Sequence, residues 1–357
     1  MGGSRLEEVT GYCPGDEETI NALYNETFRT SRSLDLWRWK FQQIPLNHLV
    51  VIRSLKRDGE IVGHGASIPA RFKLGAREVL AGHMVDFGRR PSVRFDMSLY
   101  RLNRALERNL RETWIGQGMA FVYGFPNDKA YRFRKRIAGA RDFLEIPVWM
   151  RWLNPYGYVM GRISSKTLQV VGRRMSGAYR SLRSHAAKAW EGRARGIVPL
   201  PEPDERLDRL WEEVSPCLGI AVRRDRSHVA WRYYGKPGMP YSVWLLEEGG
   251  KPVGYAVTVI QEEDVRVGYI VDVLCRPDRT EELLEAVIER LALSGADLVR
   301  CLAVAPSRLA EALKGLGFRK EAGGVRMIGL VFDRSLDPND LFDPRNWHIT
   351  YGDLDGM

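Results

Sequence analysis

Apolar and polar positions along this chain follow one pattern twice. Residues 50–68, VVIRSLKRDGEIVGHGASI in all but the first residue's flank, read as an apolar run, a glycine turn and a second apolar strand. Residues 241–260, YSVWLLEEGGKPVGYAVTVI, repeat that order, and the Val-Gly step at Val62-Gly63-His64 returns at Val253-Gly254-Tyr255. A further strand follows in each copy. AGHMVDFGRRP (81–91) and GYIVDVLCRPD (268–278) share Val-Asp and then Arg-Pro. Both then enter an amphipathic helix, with Leu99, Leu102, Ala105, Leu106 and Leu110 in the first copy and Leu283, Leu284, Val287, Ile288 and Leu291 in the second. Each helix leads to a short apolar strand, MAFVYGF (119–125) or DLVRCLAV (297–304), and then to a last helix ending near a glycine. Aromatic phrases stand near the head of both copies, SLDLWRWKF at 33–41 and SHVAWRYYG at 227–235, and predict equivalent places for Trp37 and Trp231. The fold class expected is therefore α/β with mixed sheets, built by duplication of one unit.

The spacing divides the 357 residues into an N-terminal domain over 1–155, a linker over 156–196, a C-terminal domain over 197–335 and a tail over 336–357. In the linker, Leu168, Val171, Met175, Tyr179, Leu182, Ala186 and Trp190 step by three or four and predict an amphipathic helix. The formal charge is +9, and residues 151–195 alone hold ten Lys/Arg against one acid, Glu191, so the whole excess lies there. Arg173, Arg174, Arg180 and Arg183 are interleaved with the apolar stripe, which fits an anionic protein or surface as partner better than nucleic acid. Cys13, Cys217, Cys275 and Cys301 are dispersed with no CxxC pair, the pattern of free thiols, and no histidine spacing suggests a metal site. The N-terminus has no basic-then-apolar leader pattern, and cytoplasmic placement is expected.

Several segments resemble the GNAT superfamily of acyltransferases. VYGFPNDKAYRFRKRIAG (122–139) is similar to the stretch joining that family's fifth strand to the following helix. DRSHVAWRYYGKPGMPY (225–241), GGKPVGYAVTV (249–259) and RLAEALKGLGFRK (308–320) resemble the second half of tandem GNAT proteins. The resemblance implies two tandem GNAT-like domains and transfer of an acyl group from acyl-CoA, such as acetyl-CoA, to an amine, with the donor lying where the fourth and fifth strands splay apart.

By the same resemblance, the turn RRPSVRFDMS (89–98) would meet the CoA pyrophosphate, making Arg89, Arg90, Ser92 and Arg94 candidate donor-binding residues beside a helix start. Phe95 and Met97 stand where many relatives carry small residues. Asn127 matches an asparagine facing the cofactor arm, with Ser307 near its place in the second copy, which assigns the donor to the first half. The tyrosine that serves relatives as general acid is replaced by Arg134 and by Leu313. An attacking ammonium must lose a proton, and His83, Asp86 and Tyr123 are the candidate catalytic residues, although strand alternation sets His83 and Asp86 on opposite faces.

The leading expectation is an N-acyltransferase acting on a small-molecule amine, drawing its acyl group from acyl-CoA or from an acyl carrier protein docked on the basic linker, with no metal. The alternatives are a non-catalytic tandem GNAT protein that binds an acyl group or a partner, and a tRNA-dependent aminoacyl transferase.

Overall fold

A computed structural model of the protein describes residues 7–93, 97–154, 156, 170, 174, 175, 177, 178, 181 and 196–356. The expected linker helix lies outside the described residues except at the isolated positions between 156 and 196 just given. The chain separates into two compact units, and neither is contiguous in sequence. The first takes the described residues of Met1–Leu144 with Gly235–Pro237 and Arg326–Phe342, and the second takes those of Glu145–Tyr234, Gly238–Val325 and Asp343–Met357.

In the first unit, β1 (Glu7–Gly11), α1 (Asp16–Phe28) and α2 (Leu34–Phe41) precede β2 (Val51–Arg57), β3 (Glu60–Leu74) and β4 (Arg77–Arg89). Then come α3 (Met97–Gly116), β5 (Phe121–Gly124), α4 (Asp128–Ile137) and β6 (Arg141–Trp152), of which residues from Glu145 on belong to the second unit. Strands β1 to β4 pair antiparallel in sequence order, and β4 pairs parallel with β5. The β2–β3 hairpin turns at Asp58 and Gly59, both at positive φ, as a two-residue turn between right-twisted strands requires. The apolar stripe of α3 closes on the sheet as its spacing predicted. Leu99, Leu102, Leu106, Leu110 and Trp114 pack with Val51, Leu55, Met84 and Val122, and the Trp114 indole donates to Ser67 Oγ at 2.7 Å.

The second unit repeats this order. It holds β7 (Ile197–Pro199), α5 (Arg206–Val214), β8 (Ile220–Val222), α6 (Arg226–Val229), β9 (Ser242–Glu248), β10 (Lys251–Glu262) and β11 (Arg266–Cys275). These lead to α7 (Thr280–Leu293), β12 (Leu298–Leu302), α8 (Arg308–Gly315) and β13 (Arg319–Val331), of which residues from Arg326 on belong to the first unit. Strands β7, β9, β10 and β11 pair antiparallel, β11 pairs parallel with β12, and the Gly249-Gly250 turn again has positive φ at both positions. The strand order and directions match those of the first unit, as a duplicated mixed sheet should.

Three expectations are corrected here. The closing strands are exchanged: Val148–Trp152 of β6, at the end of the first copy, pair antiparallel with Leu298–Leu302 in the second unit. Phe121–Gly124 of the first unit pair antiparallel with Ile328–Val331 of β13, at the end of the second copy. A boundary at 155 therefore falls inside the second unit, whose first stretch runs from Glu145 to Tyr234. Residues 336–357, expected as a tail, form α9 (Pro338–Leu341) in the first unit and β14 (Trp347–His348) in the second, with Trp347, Ile349 and Thr350 at most 2% exposed. Finally, Trp37 is not the counterpart of Trp231. Ser33 caps α2 through Leu36 N and Asp225 caps α6 through His228 N, and from those caps Trp231 falls level with Trp39, while Trp37 falls level with Val229.

Candidate active site

Parallel pairing of β4 with β5 covers only Ala81, Gly82 and His83 against Phe121, Val122 and Tyr123, after which β4 runs on to Arg89 and β5 ends at Gly124. Two expected residues meet at the last paired position. The His83 ring stacks on Tyr123 with centroids 4.7 Å apart and planes 8° from parallel, and Phe125 meets His83 edge-on at 5.5 Å. His83 and Tyr123 are 5% and 2% exposed.

Asp86 is placed differently. The β3–β4 register slips between His64 and Ala66, and Asp86 sits at this irregularity with φ +56°, a left-handed conformation that aspartate tolerates better than most residues. The slip interrupts the strict alternation used to place Asp86 relative to His83. Its carboxylate is held by Arg32 Nη1 at 2.5 Å and by Lys40 Nζ at 2.6 Å, and no side chain of this trio is more than 5% exposed. With both oxygens engaged by cations, Asp86 ties Arg32 and Lys40 to β4.

The same construction stands in the second unit. Arg224, which precedes its helix cap as Arg32 does, donates from Nε to Asp272 Oδ1 at 3.0 Å, and Asp272 also lies at a register slip in the strand after the hairpin. Tyr255 donates to Asp272 Oδ2 at 2.7 Å. The neighbouring guanidinium of Arg224 and the hydroxyls of Tyr255 and Thr350 outweigh burial and hold the Asp272 carboxyl well below the usual carboxylate range. Here, though, the end of the chain takes the space beyond the parted strands. His348 Nε2 donates to the Val273 carbonyl at 2.8 Å, Thr350 Oγ1 donates to Asp272 Oδ1 at 2.8 Å, and Tyr351 meets Tyr269 of β11 edge-on. Gly352 lies so close to Tyr233 and Asp272 that a Cβ would stand 3.2 Å from Asp272 Cγ and closer still to the Tyr233 hydroxyl.

The expected phosphate turn follows β4. Arg89 donates to the Val93 carbonyl, Arg90 Nε donates to the Ile61 carbonyl at 3.0 Å with Nη1 3.6 Å from Glu26, and Ser92 is exposed. Arg94 lies outside the described residues. Two guanidinium groups and an exposed hydroxyl in the segment between β4 and α3 suit a phosphate in charge and chemistry. Asn127 caps α4, its Oδ1 accepting from Ala130 N at 3.0 Å, and Ser307 caps α8 in the same way at 3.1 Å. The two residues are counterparts, and capping accounts for both without a ligand. Arg134 is buried; its Nη1 meets both carboxylate oxygens of Glu107 at 2.6 and 2.8 Å, and its guanidinium lies 3.5 Å from the Phe87 ring centre. Leu313 is core. Burial pushes the Cys275 thiol up to about 12 and raises Cys301 as well, so neither is an ionised nucleophile at neutral pH.

Arg32, Lys40 and Glu107 went unnoticed in the sequence, and His64 served only as a marker of the repeat. One signal was available: an arginine directly before a helix-capping residue, Arg32-Ser33 and Arg224-Asp225, recurs once per copy.

Mixed pairing with parting parallel strands in each unit defines the class: the chain has the fold of the GCN5-related N-acetyltransferases. A conserved Enterococcus faecalis V583 protein described as a probable N-acyltransferase matches at TM-score 0.65 and 12% identity, over 92% of this chain and 73% of that one. A GCN5-related N-acetyltransferase from Anabaena variabilis matches at TM-score 0.63 and 14% identity, over 90% and 72%. Saccharomyces cerevisiae N-myristoyltransferase with bound myristoyl-CoA matches at TM-score 0.57 and 11% identity, over 96% and 84%. No protein-family profile and no curated protein matches the sequence.

Proposed function

We propose that the protein transfers an acyl group from acyl-CoA to an amine, with the donor bound in the first unit where β4 and β5 part. One contrast carries the choice of unit. Beyond the last parallel pair of the second unit, the Val273 carbonyl and Asp272 are engaged by His348 and Thr350 of the protein's own C-terminal segment. Arg89, Arg90 and Ser92 then face the donor phosphates. In the reaction the amine nitrogen forms a bond to the thioester carbon, the carbon–sulfur bond breaks, the ammonium gives up a proton and the departing thiolate gains one. His83, at the last paired position of β4, is the candidate proton acceptor, with Tyr123 fixing its ring by stacking. A carrier-protein donor docking on residues 156–196 belongs to the same reading.

Thiol release from acyl-CoAs of short and long chain, measured with a panel of amines, tests this. Amine-dependent release that falls when Arg90 is changed to Glu supports the first-unit site. A wild-type protein that neither binds CoA by calorimetry nor releases thiol is a binding protein instead.

A further inference from the structure

The ion-pair cluster of the first unit has hydrogen-bonding groups left over. Arg32 is 8% exposed; its Nε donates to Asn21 Oδ1 at 2.7 Å, its Nη1 is spent on Asp86, and its guanidinium lies 3.6 Å from the Tyr24 ring centre. Its Nη2 is buried without a partner. His64, 1% exposed, feels the charges of Asp86, Arg32 and Lys40, and both of its ring nitrogens are buried without a partner. Within the trio of Arg32, Lys40 and Asp86, two cations share one carboxylate. Buried donors without a protein acceptor are uncommon.

The second unit shows what completes such a cluster. Arg224, the counterpart of Arg32, donates from Nη2 to Asp353 Oδ2 at 2.6 Å, and Tyr255, the counterpart of His64, is bonded to Asp272. The carboxylate that finishes the arrangement is delivered by the C-terminal segment, where Asp353 also accepts from Thr350 N at 2.8 Å. In the first unit the guanidinium is engaged differently: Arg32 meets Asp86 through Nη1 and Asn21 through Nε, and its Nη2 has no hydrogen-bond partner among the described residues.

We propose that the first unit binds a ligand carboxylate at Arg32 Nη2 and the His64 ring, a carboxylate from outside the chain serving there as Asp353 serves Arg224. A guanidinium and a neutral imidazole N–H are a fitting donor pair for a carboxylate. The imidazole is neutral at pH 7 because burial pushes its pKa down to about 4. That the ligand is the acyl acceptor, an amine that also carries a carboxylate, rests on the acyltransferase reading; carboxylate binding itself does not.

Acetate and acetamide are the probes, since they differ little in size and only one is anionic. The full-length protein with ¹⁵N-labelled histidine is titrated at pH 7 while the His64 ring resonances are followed. Acetate should shift them saturably, with a Kd at least about tenfold below that of acetamide, a difference of about 1.4 kcal/mol. Arg32→Lys, which keeps the charge but loses the planar fork, should weaken acetate by at least about tenfold. His64→Phe, with acetate affinity read by calorimetry, should lower it as well. Equal affinities for acetate and acetamide, an absence of saturable shift, or full acetate affinity in both variants overturns the site. Thiol release with glycine and with glycinamide tests the acceptor assignment separately. A protein that binds acetate at His64 but releases no thiol keeps the carboxylate site and loses the acyltransferase reading.

Discussion

Arg32 and Asp86, fifty-four residues apart, form a buried ion pair that ties the residue before the α2 cap to the irregularity in β4. Arg224 and Asp272 make the same tie in the second unit. Each pair fixes a helix entry relative to the strand segment just beyond the last parallel pair, so the geometry of the parting depends on it.

Asp86→Asn removes the charge that Arg32 and Lys40 share and leaves two buried cations facing an amide. Breaking a buried pair in this way costs about 3–5 kcal/mol. Urea unfolding should show a loss of that size; a loss under about 1 kcal/mol would mean that the cluster is effectively solvated.

Acid should weaken the fold in a defined window. Burial pushes the pKa of His64, His228 and His348 down to about 4 from 6.5. Between these values the unfolded chain binds more protons than the folded one, so stability falls as pH drops from about 6.5 to about 4. The slope reaches about 1.4 kcal/mol per pH unit for each histidine. Asp272, whose folded pKa is depressed, loses its contribution at lower pH still. Unfolding free energies measured from pH 7 to 4 should flatten by about one proton in His64→Phe, and an unchanged slope would show that His64 does not titrate this way.

Glu107 and Arg134 provide a double-mutant test. Glu107→Gln and Arg134→Met should each destabilise by about 3 kcal/mol or more, because each leaves a buried partner behind. Combining Arg134→Met with Glu107→Gln should cost clearly less than the sum of the single changes. Additive losses would mean the two side chains act independently.

His83→Phe keeps a ring for Tyr123 to stack on but removes the titratable nitrogens. If His83 takes the proton, kcat should fall by about 10² to 10⁴ with thermal stability nearly unchanged. Full turnover in the variant would leave His83 a packing residue.

The repeat was readable because it rests on short-range signals. The Asp58-Gly59 and Gly249-Gly250 turns, the stripe from Leu99 to Leu110 and the Val-Asp steps each lie within one element or one turn. What escaped depends on distant residues. The cluster around Asp86 needs Arg32 and Lys40 from helices earlier in the chain, and a single slip in strand register decides what its side chain meets. Asn127 looked like a ligand contact because a cap and a binding residue call for the same side chain at a helix start. Trp37 and Trp231 share a residue type and an aromatic setting, whereas helix caps set the register. The role of Trp347 to Asp353 could not be read from local pattern, since those residues are buried by partners seventy or more positions away.

The exchanged closing strands impose an order on biosynthesis. Residues 148–152 leave the ribosome long before Leu298–Leu302, the strand they pair with. Strand β5 waits in turn for Ile328–Val331 before its second edge is covered. A nascent chain paused anywhere between these points carries an open apolar edge at Phe121–Gly124, the kind of edge that recruits other chains. Neither unit can be completed by its own half of the message, so a polypeptide ending before residue 328 loses the first unit's closing strand along with the second half's end.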